Sequence, residues 1–151
     1  MIRVVAGIIE DHGRVLVCQR HAGGVLGLKW EFPGGKLRRS EVPRAGLIRE
    51  LQEELGVVAR IGRQVYAVRH RYAEMKESVL VTFFLVALPE RPRWFNRVAF
   101  ERVEWARRGD LPRYDFLAAD RKLVARMARG EFAAYVGMDQ PPSTERTWPV
   151  T

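Results

Sequence analysis

The chain has 151 residues, enough to bury one hydrophobic core but too few for a second domain of ordinary size. Its 26 Lys and Arg outnumber its 18 Asp and Glu, so the net charge is +8, which favours anionic partners. No RNA- or DNA-binding motif is present, and no specific nucleic acid partner is expected. The charge has two interpretations: attraction of an anionic ligand, or an arginine-rich surface that is simply solvated.

The single cysteine and the N-terminus predict the compartment. Cys18 lies in an apolar run and has no second cysteine to pair with, which indicates a packed thiol in a reducing environment. The apolar start at 1–10 is too short for a signal peptide, and no window approaches the roughly 18 apolar residues of a membrane span. We expect a soluble cytoplasmic protein that does not contact a membrane.

Two strands are predicted at the start of the chain. Residues 3–10 and 14–20 are rich in apolar and β-branched side chains, and the polar residues 11–13 join them as a turn. A further extended segment from residue 30 breaks at Gly34-Gly35. Main chain can approach a ligand or metal there, because a glycine has no Cβ to clash.

A helix is predicted at about 43–55. Ser40-Glu41 followed by Pro43 marks its start, and Gly56 marks its end. Leucines at 47, 51 and 55 repeat every four residues and form an apolar stripe, so one face of this helix is expected to pack on the core.

The second half of the chain is predicted to add strands at about 61–70, 79–88 and 100–105. A polar connection at 71–77 and a loop at 110–115 separate these elements, and a second helix is expected from about 117 to 129. Mixed strands and helices of this kind predict an α/β (α+β) fold, an α/β/α sandwich around a mixed sheet. The domain is assigned to 1–130, and the proline-containing segment 131–151 to a loose or docked tail.

Three carboxylates on the first helix define the candidate site. Glu50, Glu53 and Glu54 fall within one arc of roughly 100° on a helix. Like charges this close repel one another unless a cation lies among them. Because the ligands are oxygens, a hard divalent cation is the expected partner.

The same residues identify a family resemblance. The segment from Gly35 to Val57 resembles a complete Nudix box. The pattern is Gly35, five residues, Glu41, seven residues, and then Arg49-Glu50-Leu51-Gln52-Glu53-Glu54-Leu55-Gly56-Val57. Trp30-Glu31-Phe32-Pro33-Gly34-Gly35-Lys36 is most similar to the MutT-type branch, the nucleoside triphosphate pyrophosphohydrolases of the 8-oxo-dGTP and CTP type. The likeness runs from about residue 4 to about residue 129, and it implies the Nudix fold.

The resemblance also implies a chemistry. Glu50, Glu53 and Glu54 are expected to hold Mg²⁺, or Mn²⁺ in its place, with the main-chain carbonyl of Gly34 or Gly35 as a further ligand. Water would attack an internal phosphorus and release nucleoside monophosphate and pyrophosphate. The expected role of Arg49 is to orient a glutamate of the site; the alternative is an ordinary i,i+4 partner of Glu53.

The acceptor of the water's proton is open between two regions. Glu53 is favoured and Glu54 is the alternative within the box. In some relatives a glutamate from a later loop takes this role, but Ala99 occupies the matching position here. Glu101 is the remaining loop candidate, against the alternative that it is a solvated acid at a strand edge.

Three residues are expected to contact substrate. Arg20 matches the MutT-type arginine and could grip phosphate oxygens, unless it is a surface residue at a strand end. Phe32 is expected beside the base or in the core. Asp120 aligns with the residue that reads the base edge, or it complements a helix dipole. His21 and His70 lack the spacing of a ligand pair.

Several substrates compete for this site. A nucleoside triphosphate is expected first, with sanitation of 8-oxo-dGTP as the leading version. The alternatives are another nucleoside diphosphate derivative, such as ADP-ribose or a dinucleoside polyphosphate, and a catalytically silent Nudix module that binds nucleotide or RNA. The assembly is expected to be a monomer or a homodimer.

Overall fold

The computed structural model describes residues 1–132, which form seven strands and two helices. In chain order these elements are β1 (Ile2–Asp11), β2 (Arg14–Arg20), β3 (Trp30–Glu31), β4 (Gly34–Lys36), α1 (Pro43–Leu55), β5 (Arg60–His70), β6 (Val79–Ala87), β7 (Phe100–Arg107) and α2 (Arg121–Ala128). Short 3₁₀ turns at Arg108–Arg113 and Ala118–Asp120 precede α2.

The strands form one mixed sheet in the order β3-β2-β1-β6-β5, with β4 added to β1 and β7 added to β2. The pairing of β1 with β6 is parallel and runs from Ile2 opposite Val79 to Ile9 opposite Val86. The other strand pairs are antiparallel. The mixed sheet predicted from the sequence is therefore confirmed.

Successive side chains of β6 enter two different hydrophobic clusters. Phe83 lies in the cluster that contains Leu123 of α2, whereas Phe84 lies in the cluster that contains Leu51 of α1. Since neighbouring residues of a strand point to opposite faces of the sheet, each helix covers one face. The predicted α/β/α sandwich is confirmed.

Helix α1 has the predicted bounds but a different start signal. Val42 is the residue before the first turn and makes no side-chain capping bond; Ser40 lies further upstream with φ of 63°. The expected polar cap at Ser40-Glu41 is wrong, and Pro43 in the first turn is the signal that remains. Gly56 ends the helix as predicted, in a left-handed conformation with φ of 65°.

Helix α2 is shorter than predicted, because the chain before it belongs to the sheet edge. The N–H of Leu117 donates to the carbonyl of Trp30 at 2.9 Å, which holds Leu117 in an extended conformation. The 3₁₀ turn Ala118–Asp120 follows, and the α-helix begins only at Arg121. The expected loop at 110–115 also overlaps a 3₁₀ turn.

Gly34 and Gly35 lie within a short strand, contrary to the predicted break. Together with Lys36 they pair antiparallel with β1, Gly34 opposite Ala6 and Gly35 opposite Val5. Gly34 has φ of 153°, and a Cβ there would fall 2.0 Å from the carbonyl oxygen of Val5. A side chain at Gly34 would therefore force the two strands apart.

The start of the predicted tail is docked on the domain. Arg108 donates to the carbonyls of Met127 at 3.2 Å and Glu131 at 2.6 Å, and also to that of Phe132. The rest of the tail, residues 133–151, lies outside the described residues, so the domain limit at 130 stays a prediction. Cys18 is fully buried, as expected. Across residues 1–132, neither helix has the length and apolar character needed to span a bilayer.

Candidate active site

A cavity of about 370 Å³ opens beside the N-terminal half of β1 and the short strand β4. Six of the predicted site residues line it, namely Arg20, Phe32, Gly34, Gly35, Glu54 and Asp120. The other four, Arg49, Glu50, Glu53 and Glu101, are not among its lining residues. The fold thus brings together residues from three separate parts of the chain.

Phe32 forms part of the apolar wall of this cavity and also packs in the core. Its side chain is buried, and its ring centroid lies 5.2 Å from that of Phe116 and 6.1 Å from that of Phe83. The two expectations for Phe32 are therefore compatible, since one edge of the ring faces the cavity while neighbouring aromatic rings hold it in place.

Glu54 carries the carboxylate that α1 presents to the cavity. Its Oε1 accepts the N–H of Gly34 at 3.1 Å, which joins the helix to the glycine strand. Burial is the main cause that raises the pKa of Glu54 well above its ordinary value, and the charges of Glu31 and Glu50 raise it further. A cation placed beside this carboxyl group would stabilise its ionised form.

Glu50 lies against Gly35, one turn of α1 before Glu54. A Cβ at Gly35 would fall 2.4 Å from both Cδ and Oε2 of Glu50, so the glycine makes room for this carboxylate. Partial burial raises the pKa of Glu50, and the guanidinium of Arg49 opposes that shift. Glu50 and Glu54 therefore flank the same glycine pair.

Arg49 connects the carboxylates of α1 to one another and to β4. Its guanidinium donates to Glu41 twice at 2.8 Å, to Glu50 at 3.0 Å, to Glu53 at 3.3 Å and to the carbonyl of Lys36 at 3.2 Å. Bidentate pairing of this kind fixes orientation as well as charge. This geometry supports the expected orienting role and includes the i,i+4 contact with Glu53.

Glu53 faces outward. Its side chain is half exposed and is engaged by Arg49, while Arg38 lies 3.6 Å from its other oxygen. The sequence predicted that these carboxylates point in one direction, but two of them diverge. The side chain of Glu54 turns into the cavity, and that of Glu53 turns toward solvent.

The contact between Glu41 and Arg49 can be tested through its pH dependence. Its hydrogen bonds from Arg49, and from the backbone N–H of Arg38, lower its pKa from 4.5 to about 2. A carboxylate with a lowered pKa in the folded state stabilises the fold above pH 4.5, and loses that effect as the pH falls toward 2. We expect Glu41→Gln to lower the melting temperature at pH 7, and the difference from wild type to shrink below pH 4.5. Thermal melts of both proteins between pH 7 and pH 3 measure this.

The matched control for that series is Glu74→Gln, an exposed glutamate on the connection between β5 and β6. Its melting temperature should follow that of wild type at each pH. A Glu41→Gln difference that stays constant across the acid range would contradict the assignment of stability to the Glu41 carboxylate.

The residues fit a hard divalent cation only in part. Within residues 1–132, no group of three or more His, Cys, Asp or Glu side chains is arranged to hold a metal ion. Arg49 donates hydrogen bonds to both Glu50 and Glu53. Glu50 and Glu54 nevertheless offer carboxylate oxygens beside Gly35 and Gly34, where no glycine side chain covers the main chain. Mg²⁺ is commonly held by one or two carboxylates together with waters and substrate oxygens, and this donor set meets that requirement.

Arg20 is committed to protein partners. Its Nη1 donates to Glu31 at 3.2 Å, and its Nε and Nη2 donate to the carbonyl of Val25 at 3.2 and 3.0 Å. It therefore supports the connection between β2 and β3, which forms one wall of the cavity through His21, Gly24 and Leu26. Contact with phosphate oxygens would require one of these bonds to be exchanged.

Glu31 is a cavity residue that the sequence analysis did not single out. It lines the cavity, and burial raises its pKa while Arg20 opposes the shift. The sequence held no clear signal for this role, because a charged residue between Trp30 and Phe32 is the ordinary alternation of a strand with one buried face.

Asp120 is a buried carboxyl group that lines the same cavity as Glu31. It is 4% exposed, and burial followed by the charge of Glu31 raises its pKa well above the ordinary value. It is the residue directly before α2 and makes no side-chain capping bond to that helix, so the helix-dipole alternative stays open. It lines the cavity, and the expected base contact stays a prediction.

The remaining candidates lie at the rim or outside the cavity. Glu101 is exposed; it accepts the N–H of Ala22 at 3.3 Å and lies 3.6 Å from His21 Nε2. Ala99 does line the cavity, so the position matched to the loop glutamate of relatives has no acid. His70 stacks edge-on with Tyr72 at 4.4 Å between ring centroids.

Comparison with known proteins places this architecture in a family. A model of the NUDIX domain matches residues 1–127. An 8-oxo-dGTP diphosphatase of Haemophilus influenzae is 33% identical over 132 residues, which cover 84% of this chain and 91% of the relative. A CTP pyrophosphohydrolase of Escherichia coli is 49% identical over 65 residues, 43% of this chain and about half (48%) of that relative.

A solved structure is also similar. The MutT NUDIX hydrolase from Burkholderia pseudomallei has a TM-score of 0.72 and 25% identity, with 82% of this chain and 95% of that chain covered. A two-helix sandwich with a carboxylate-bearing helix against a glycine strand thus defines the class, a hydrolase of nucleotide phosphoanhydride bonds. The chain belongs to the NUDIX family, whose hydrolases are generally dependent on divalent metal ions.

Proposed function

We propose that this protein hydrolyses a nucleoside triphosphate to nucleoside monophosphate and pyrophosphate in a Mg²⁺-dependent reaction, with 8-oxo-dGTP as the leading substrate. The observation that carries this proposal is the position of Glu54, a partly buried carboxylate bonded to Gly34 at the wall of a cavity of about 370 Å³. A cavity of that size is in the range of small-molecule sites. The relatives named 8-oxo-dGTP diphosphatase support the choice of substrate.

In the proposed site, Glu50, Glu54 and the main-chain carbonyl of Gly34 or Gly35 would hold Mg²⁺, or Mn²⁺ in its place. Bound metal supplies neutralisation of phosphate oxygens and a lowered pKa for coordinated water. Arg49 keeps the Glu50 and Glu53 carboxylates in orientation. Glu53 accepts the proton of the attacking water at the solvent side of the site; Glu54 is the alternative acceptor, and Glu101 lies on β7 outside the cavity lining and is not favoured.

Substrate contacts are proposed for the opposite end of the cavity. Phe32 and the neighbouring apolar wall pack against the base, and Asp120 accepts hydrogen bonds from its N–H groups. Arg20 contacts phosphate oxygens after exchanging its bond to Glu31. The +8 charge of the chain steers the triphosphate toward the site.

A product-release panel tests the function: pyrophosphate is measured for the triphosphates, and the nucleotide products of every substrate are separated by ion-exchange chromatography. The full-length protein is incubated with Mg²⁺ and 8-oxo-dGTP, dGTP, CTP, ADP-ribose or a dinucleoside polyphosphate, and with EDTA as control. We expect pyrophosphate from the triphosphates, 8-oxo-dGTP foremost, and none with EDTA. Turnover of ADP-ribose alone would assign the protein to the diphosphate-derivative class, and binding without turnover would make it a silent nucleotide-binding module.

Asp120→Asn tests the base contact. The amide keeps the shape of the carboxyl but replaces one acceptor oxygen by a donor, so we expect the ranking of bases to change while the Mg²⁺ dependence stays the same. A loss of about tenfold for the best substrate matches one hydrogen bond. An unchanged ranking in the same panel would remove Asp120 from the base site.

We further propose a cytoplasmic enzyme that acts as a monomer or homodimer on a small-molecule nucleotide. The packed Cys18 thiol supports a reducing compartment. Neither a membrane nor a specific nucleic acid is required by the proposed reaction.

A further inference from the structure

Tyr72 is a buried phenol that the proposed mechanism does not use. It lies on the connection between β5 and β6, which the sequence pattern indicated to be a polar loop, yet only 8% of it is exposed. Its side chain lines the cavity beside Ala119 and Asp120. A buried hydroxyl is costly unless it is hydrogen-bonded, so its bonding pattern is informative.

The phenol oxygen is used as an acceptor, and its proton is not. The N–H of Ala119 donates to Tyr72 Oη at 3.0 Å, across 47 residues of sequence. Within residues 1–132, no hydrogen bond has Tyr72 as its donor. A phenol can donate one hydrogen bond while it accepts another. The Tyr72 O–H is therefore free to bond an acceptor that enters the cavity.

The groups around Tyr72 indicate which acceptor this would be. Asp120 directly follows Ala119, whose N–H bonds the phenol oxygen, and Asp120 and Glu31 are carboxyl groups that line the same cavity as Tyr72. The guanidinium of Arg20 also lines the cavity, but it donates to Glu31 and to the carbonyl of Val25. The Tyr72 hydroxyl thus adds an unbonded donor beside two carboxyl groups. The guanine edge has the complementary order, with the O6 carbonyl next to the N1–H and the 2-amino group.

We infer that Tyr72 is a specificity-determining residue that donates a hydrogen bond to the O6 carbonyl of a guanine-type base, while Asp120 faces the adjacent N–H groups. This inference rests on the proposed function, because it takes a guanine nucleotide as the substrate. The bond from Ala119 fixes the hydroxyl at the turn Ala118–Asp120, so the donor and the carboxylate reach the base from one rigid segment.

The test compares dGTP with 6-thio-dGTP, in which sulfur, a weaker acceptor, replaces O6 and the N–H groups remain. For Tyr72→Phe we expect kcat/KM with dGTP to fall by about tenfold, as for one hydrogen bond. With 6-thio-dGTP the fall should be less than about twofold, because wild type gains little from that contact. Tyr114→Phe, which removes a phenol bonded to Glu104 outside the cavity lining, is the matched control and should leave both values unchanged.

Equal losses on both nucleotides would overturn the inference, because they would mean that Tyr72 only holds the Ala118–Asp120 turn. Unchanged kinetics would overturn it as well. If circular dichroism shows that Tyr72→Phe does not fold, the inference is tested on the wild-type protein. Its kcat/KM must then be about tenfold higher for dGTP than for 6-thio-dGTP. If wild type turns over no triphosphate, the proposed function fails, and the affinities of the two nucleotides measured by calorimetry with Ca²⁺ decide the inference on Tyr72.

Discussion

Glu54→Gln is expected to lower kcat for the best triphosphate by about a hundredfold to ten-thousandfold, the range for a catalytic acid-base or charge-stabilising group. Glutamine keeps the side-chain oxygen that accepts the Gly34 N–H at 3.1 Å, so the contact between α1 and β4 is retained. The negative charge proposed to bind the metal is lost. Steady-state pyrophosphate release across a Mg²⁺ titration measures both effects.

Folding should not account for this loss. Burial raises the pKa of Glu54, which means that the ionised form is disfavoured in the empty protein, and a neutral amide should be tolerated or stabilising. The melting temperature of Glu54→Gln is therefore expected at or above that of wild type. Gln52→Ala, an exposed change on the same helix, is the matched control. Near-wild-type turnover in Glu54→Gln would remove this carboxylate from the reaction.

Glu53→Gln belongs in the same series, because it decides between the two candidate proton acceptors. If Glu53 accepts the proton of water, its amide variant should lose at least about a hundredfold in kcat with little change in folding. Its position toward solvent, held by Arg49 and near Arg38, makes the opposite outcome informative. Near-wild-type rates would transfer the acceptor role to Glu54.

Gly35→Ala is the second change with a large expected effect. The added Cβ would lie 2.4 Å from Cδ and Oε2 of Glu50, far inside van der Waals contact, so the Glu50 carboxylate must move. A displacement of about 1 Å in a catalytic constellation can lower turnover by about a hundredfold. We expect a loss of at least that size in kcat, with the apparent Mg²⁺ requirement shifted to higher concentration.

Backbone strain should contribute little to the Gly35→Ala result. Gly35 does not have a positive φ, unlike Gly34, so alanine is allowed at this position in the strand. Gly109→Ala is the matched control, because a Cβ there meets nothing within 4 Å. If Gly35→Ala retained full activity, Glu50 would not depend on the space beside Gly35, and its proposed ligand position would be wrong.

Much of the site could be predicted because it is local. About twenty residues of sequence contain the whole of α1, its carboxylates at 50 and 54, and the glycines opposite them. Helical periodicity then determines which side chains can share a face. The same periodicity could not separate Glu53 from Glu54, because the two directions depend on Arg49, Arg38 and the glycine strand.

The residues at the proposed base-binding end of the cavity could not be predicted from local spacing. Tyr72, Glu31 and Ala119 are far apart in sequence, and they meet because β3 pairs with the segment around Phe116 and Leu117 while the connection after β5 folds over it. Propensity indicated a polar loop at Tyr72 and a helix from 117. Residues 71–78 do form a connection between strands, but Tyr72 within it is buried. At residue 117 tertiary hydrogen bonds overrode the helical propensity, since burying Trp30 requires partners for its N–H and carbonyl.

By itself, therefore, the sequence determined the family, the fold class and the helix that carries the candidate metal-binding carboxylates, because short-range spacing encodes all three. Only the tertiary structure decided that Glu54 rather than Glu53 enters the cavity, that Arg20 is occupied by Glu31 and Val25, and that Tyr72 presents an unused donor there. The physical reason is that the direction of a side chain at a site is set by packing and hydrogen bonds between distant segments, which no local pattern contains.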